Sequence, residues 1–294
     1  AATLWWVWVL TLRVWPWAVP AWHLPPTVGH AAIMVMGFMP LFVVGFQFTA
    51  GPKWLGMPPP EAHTLLAPVV WQVAGWAMWL VGTHLALVWA VCGLLLVAAG
   101  QAWITARFTA LVWRSPASDR WHAGIIAVAG WSGVIHLLGL ALALVSDAVP
   151  LALVWVRSAL WLSVLPIFAA ALHRLVPFFT SNVLPMVEVW RPWWVLIVLL
   201  LAAGVEAGLD WGHALTTDTA PRALMLARGL FELVVGAIVI WLALVWGLVQ
   251  AMSIRLLAML HLGVLWLGLA FCLLGATQLL GLRTGVPVLG LGAW

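Results

Sequence analysis

Tyrosine is absent from this chain, and only eight residues of 294 are acidic. The first absence removes a phenolic hydroxyl from any mechanism. With only twelve Lys and Arg, charged residues reach 7%, whereas a soluble domain carries roughly 25%. So few charges cannot cover a water-facing surface. Cysteine is scarce as well. The two present, Cys92 and Cys272, sit inside apolar runs and form no CxxC or CxxCH. That excludes a disulfide framework, a zinc ribbon and covalent haem attachment, and reads both thiols as small buried residues. No GxxxxGK[ST], HExxH or GxSxG occurs, so phosphate-cradling and hydrolytic chemistries have no support.

What is present is apolar surface. Hydrophobic residues make up 66% of the chain, in runs of about 20, long enough to cross a ~30 Å hydrocarbon core as helix. In lipid the backbone satisfies its own hydrogen bonds only as helices or a closed barrel. A barrel alternates polar and apolar residues, and the run Leu196 to Ala203 does not. The expectation is an all-α, polytopic transmembrane helix bundle. Spans are expected near ~1–18, ~28–50, ~65–82, ~84–105, ~122–146, ~151–177, ~193–211, ~223–250 and ~254–281, with a tenth starting near ~286. Residues 1–294 read as one transmembrane domain without a soluble insert. The chain begins without Met and ends in a fresh apolar run, so it is expected to be incomplete at both ends.

The pI near 10.5 does not signal nucleic acid, because the basic residues are scattered singly over loops. Their sidedness signals topology. Lys53, Arg107, Arg114, Arg120, Arg174, Arg191 and Arg255 follow spans two, four, six and eight, whereas the opposite side holds Arg222 and Arg283, with Arg13, Arg157 and Arg228 just inside helix ends, and Asp147, Asp210 and Asp218. Those four loops are expected to be cytoplasmic. Many of the 25 tryptophans fall at span ends, as indoles favour the headgroup interface. Gly204 and Gly208 form a GxxxG, a candidate for close helix contact. Pro40-Leu41-Phe42 is echoed by Pro166-Ile167-Phe168 four spans later.

Ionisable groups inside a bilayer are costly and therefore functional candidates. Of nine histidines, His23, His63, His84, His122 and His213 fall near interfaces and read as wet loop residues. His30, His136, His173 and His261 fall on spans, as metal ligands or proton carriers. At 1.5 Å rise per residue, His173 and His261 come roughly 5–8 and 10–12 Å from the same surface. They are the best-matched pair for two rings facing one metal. His30 and Met34 share a helix face, and imidazole with thioether suits copper; ordinary packing is the alternative for the methionine. A second group is charged. Arg228 and Glu232 are spaced to pair on one span, while Glu206 and Asp210 share a face of the preceding one, with Arg157 at similar height. Together with His136 these residues suit a proton path or the anchoring of haem propionates. Mutual neutralisation that lets polar helices pack is the alternative.

Two segments carry a resemblance. His30-Ala31-Ala32-Ile33-Met34-Val35-Met36-Gly37-Phe38-Met39-Pro40, running on to Gly51-Pro52-Lys53-Trp54, resembles the NnrS family. So does His173-Arg174-Leu175-Val176-Pro177-Phe178-Phe179-Thr180, followed by Trp190-Arg191-Pro192. Leu260-His261-Leu262-Gly263 with Trp266 resembles a late helix of that family. The resemblance implies about twelve spans in the bacterial inner membrane, haem and copper as cofactors, and a part in the response to nitric oxide and nitrosative stress. Any reaction would be haem-dependent redox chemistry toward nitric oxide or quinol. His30, His173 and His261 are the family positions it puts forward. Arg174, or Arg157 with Arg228, would pair with propionates, because guanidinium binds carboxylates bidentately. Many members carry His-x-His-Glu-Met at the first motif; Ala32 and Ile33 replace the second His and the Glu here. A proton-coupled transporter or channel built on Glu206, Asp210, Arg228, Glu232 and the histidines is the rival expectation. In either case the lipid bilayer is the partner, without nucleic acid or nucleotide.

Overall fold

The computed structural model describes residues 2–15, 22–183, 190–215 and 222–284, with no strand among them. The helices are α1 (Ala2–Val14), α2 (Pro26–Leu55), α3 (His63–Leu85), α4 (Leu87–Arg114), α5 (Trp121–Val145), α6 (Val149–Val183), α7 (Trp193–Leu215), α8 (Arg222–Val245) and α9 (Arg255–Thr284), with a one-turn helix Leu248–Ala251 before α9. Eight, α2 to α9, are long and apolar enough to cross a membrane. They correspond to the second to ninth expected spans, and the protein is an all-α, multi-pass membrane bundle. The first expected span is represented by α1, whose 13 residues fall short of a full crossing; its expected end near ~16–18 lies outside the described residues. So does the tenth span.

The described chain divides into two compact units, residues 1–167 with 206–214, and residues 168–205 with 215–294. In the first, α3 and α4 are joined through a single extended residue, Ala86. Glycine lets them touch backbone to backbone. A Cβ at Gly75 would stand 2.5 Å from the Gly93 carbonyl oxygen, and one at Gly82 would strike the Ala90 backbone. The second unit repeats the device in α8 and α9, where a Cβ at Gly236 would lie 2.5 Å from Cys272 Sγ and 2.8 Å from the Gly268 oxygen. Lipid provides no hydrophobic drive between helices, so such small-residue approaches, which maximise van der Waals contact, hold the pairs together. The expected GxxxG does not do this among the described residues: Gly204 and Gly208 have nothing there within 4 Å of a Cβ position. That motif fixes spacing along one helix but not the presence of a partner opposite. Cys92, expected to be buried, is exposed. An apolar run does not distinguish a packed face from a lipid-facing one.

Two long helices carry the same distortion. Residues Ile33–Phe38 of α2 and Leu160–Val164 of α6 are π-helical. Each wide turn ends two residues before a proline of the sequence echo, Pro40 or Pro166. Proline lacks an N–H and its ring collides with the carbonyl four residues back. Those carbonyls belong to Met36 and Leu162, inside the π-turns. The added residue takes up a misfit that would otherwise kink or break the span.

Candidate functional site

The first unit holds His136 in a closed hydrogen-bond chain. Its Nδ1 donates to the Ser132 carbonyl at 2.7 Å, one turn back on α5, and its Nε2 meets Ser158 Oγ of α6 at 2.9 Å. Trp211 Nε1 of α7 donates to the same hydroxyl at 3.0 Å. The directions follow from the donors. An indole N–H can only donate and a carbonyl only accept, so Ser158 accepts from Trp211 and donates to a neutral His136. Trp155 packs edge-on to both rings, with centroids 5.4 and 4.8 Å away. His136 and Ser158 are 4% and 0% exposed, so the chain is dry and both ring nitrogens are occupied. On the same unit, Glu206 and Asp210 are also buried, while Arg157 is half-buried with Nε unpartnered.

His30 of α2 lies flat on the Trp6 indole, centroids 4.0 Å apart and planes within 10°. Its Nδ1 is buried without a hydrogen-bond partner. Met34 is half-buried, but the π-turn that begins at Ile33 interrupts the regular stacking of positions four apart. At the other end of α3, His84 sits among indoles: Trp5 Nε1 donates to its Nε2 at 3.0 Å, and the Trp8 and Trp22 centroids lie 5.5 and 4.5 Å away. His122, expected in a wet loop, is 1% exposed at the start of α5.

In the second unit, His173 and His261 are 1% and 0% exposed. His173 Nε2 donates to the Pro192 carbonyl at 3.1 Å. His261 Nε2 meets Thr180 Oγ1 at 2.9 Å, and that hydroxyl also reaches the Val176 carbonyl at 2.8 Å. With the hydroxyl donating to Val176, His261 presents Nε2–H and leaves the Nδ1 lone pair bare. Nδ1 has no partner in hydrogen-bond geometry, although the Ala243 backbone is close enough to act on the ring. Thr180 stands seven residues beyond His173 on α6, about 10 Å along its axis. The two imidazoles therefore address different levels of the unit and do not oppose each other across one point. Arg228 Nε pairs with Glu232 Oε1 at 3.0 Å on α8, and Glu232 is 0% exposed. Arg174 is half-buried on α6 beside His173.

Among the described residues no three His, Cys, Asp or Glu side chains converge as a metal-ligand group. Sequence reasoning missed Ser158, Thr180 and Trp211, the residues that hold the histidines. The available signal was a hydroxyl in an apolar span, which must find a partner across helices. No curated protein and no solved structure matches this chain. A family profile described as NnrS protein matches it over residues 1–294. The chain belongs to the NnrS family.

Proposed function

We propose that this protein is a haem-binding, and secondarily copper-binding, protein of the bacterial inner membrane that serves the response to nitric oxide and nitrosative stress. The observation that carries the reading is the placement of the family-motif histidines. All three are on spans, two are fully withdrawn from solvent, and His30 keeps one buried nitrogen without a hydrogen-bond partner, while His261 Nδ1 has only the nearby Ala243 backbone. An unpartnered neutral imidazole nitrogen in a dry interior is costly and is the chemistry of a metal donor. His261, His173 and His30 are the candidate haem ligands. Because His173 and His261 sit at different levels, the residues fit single-histidine ligation rather than a bis-histidine pair. Arg174, Arg157 and Arg228 are the candidate propionate partners, and His30 with Met34 the copper candidate. When bound, haem would supply redox chemistry or capture of a small ligand such as nitric oxide, with quinol as the candidate electron donor. The loops after α2, α4, α6 and α8 are assigned to the cytoplasm by their Lys and Arg.

The test is a reduced-minus-oxidised optical spectrum with iron and copper analysis of the purified full-length protein. Soret and α bands are expected, and they should be lost in His261→Ala. A colourless, iron-free protein overturns the reading. A second reading, proton-coupled transport, is favoured by the burial of Glu206, Asp210 and His136 in one unit. It predicts proton uptake by proteoliposomes that Glu206→Gln abolishes.

A further inference from the structure

The two π-turns face a common cavity within the first unit. Met36 of the first turn and Ser163 of the second line it, with Ala159, Gly133 and Leu137 beside them and Gln101 of α4. The space at its heart is about 10 Å³ for the centre of a water-sized sphere. That suits one water molecule and is far too small for a porphyrin or a quinone ring.

Its walls are built for such a guest. Gln101 is 6% exposed and its Oε1 has no hydrogen-bond partner. One turn further along α4, Thr105 Oγ1 is also buried and unpartnered. Glycine brings these polar groups together. A Cβ at Gly133 would come 2.8 Å from Ser163 Oγ, and one at Gly130 would come 2.9 Å from Thr105 Oγ1. The Ser163 hydroxyl donates to the Ala129 carbonyl at 2.8 Å, which leaves its oxygen able to accept. The cavity thus offers an orphaned carboxamide oxygen and a hydroxyl oxygen. A water needs two to four such partners. Met36, 4% exposed, adds a soft thioether to an otherwise apolar lining.

We propose that this cavity is a binding site for a single water-sized hydrogen-bond donor, anchored by the Gln101 carboxamide and the Ser163 hydroxyl between the two π-turns. The cavity is separate from the His136 chain, whose members His136 and Ser158 do not line it. The wide turns have a purpose in this account: they open the gap that the guest fills.

The test is X-ray radiolytic footprinting of the full-length protein in nanodiscs made up in ¹⁸O-water. A bound water gives hydroxyl radical in place, whose heavy oxygen adds to the adjacent Met36 thioether; dissolved oxygen then takes the second electron and the proton, leaving a sulfoxide that carries the heavy oxygen. Met36 is expected to label rapidly despite its burial, while Trp79, 0% exposed, stays protected. Losing one hydrogen bond weakens binding roughly fivefold, so Gln101→Leu is expected to slow Met36 labelling by about that factor. Two outcomes overturn the proposal: Met36 in the wild type as protected as Trp79, or a folded Gln101→Leu that labels like the wild type. The wild-type measurement decides even if the variant fails to fold.

Discussion

Ser158→Ala tests whether the His136 chain holds the first unit together. The hydroxyl accepts from Trp211 and donates to His136 at 3.0 and 2.9 Å with no exposure to solvent, so its loss breaks two interhelical bonds at once. In a water-soluble core, orphaning two groups at about 1–3 kcal/mol each would cost about 2–6 kcal/mol. Membrane interiors are more forgiving, because the unfolded chain in lipid also finds partners; interhelical bonds there average about 0.6 and reach about 1.7 kcal/mol. The second scale governs here, and about 1–3 kcal/mol is expected. Denaturation of the bicelle-reconstituted protein in SDS measures it. Trp211→Phe removes one of the two bonds and should cost about half as much. In the double variant the costs should fall short of additivity, by roughly one hydrogen bond. A Ser158→Ala change below about 0.5 kcal/mol, with Trp211→Phe adding in full, would refute the shared chain.

Four further outcomes follow from the packing and the ion pair. Gly236→Ala drives a methyl into Cys272 and the Gly268 carbonyl, and thermal unfolding should show a loss of about 1–3 kcal/mol. Gly204→Ala, with open space around it, should be neutral within about 0.5 kcal/mol in the same assay. Arg228→Met removes the 3.0 Å pairing of Arg228 with the buried Glu232 carboxylate and should destabilise the fold by more than about 1 kcal/mol, part of it recovered when Glu232→Gln is added. Thr180→Val frees His261 Nε2; if His261 carries haem, the optical bands shift in Thr180→Val but not in Ser181→Ala.

The spans were legible because length and hydropathy alone decide whether a helix crosses lipid. The Arg228–Glu232 pair was legible for a similar reason, since positions four apart on one helix must be neighbours. What failed was everything that depends on rotation or on a distant partner. Depth estimates put His173 and His261 at comparable levels because α6 was expected to end near ~177, whereas it continues to Val183. Thr180, on the added turn of α6, rather than His173, meets His261, while His173 meets Pro192 at the start of α7. The π-turns were hidden because a wide turn and a regular one are equally apolar; only the recurrent proline hinted at them. His122 is buried although it opens α5, because a helix end covered by neighbouring chain is not in contact with water.

The single-residue joint at Ala86 governs how this molecule is assembled. With one residue between α3 and α4, the pair forms a tight hairpin suited to enter the bilayer as one object. The translocation machinery then meets some fifty residues as a single cargo. A reporter domain spliced at Ala86 would prise apart the Gly75–Gly93 and Gly82–Ala90 crossings. Mapping the sidedness of this protein with fusion tags should therefore use the junction after Leu55 or Arg114 and leave this bend untouched.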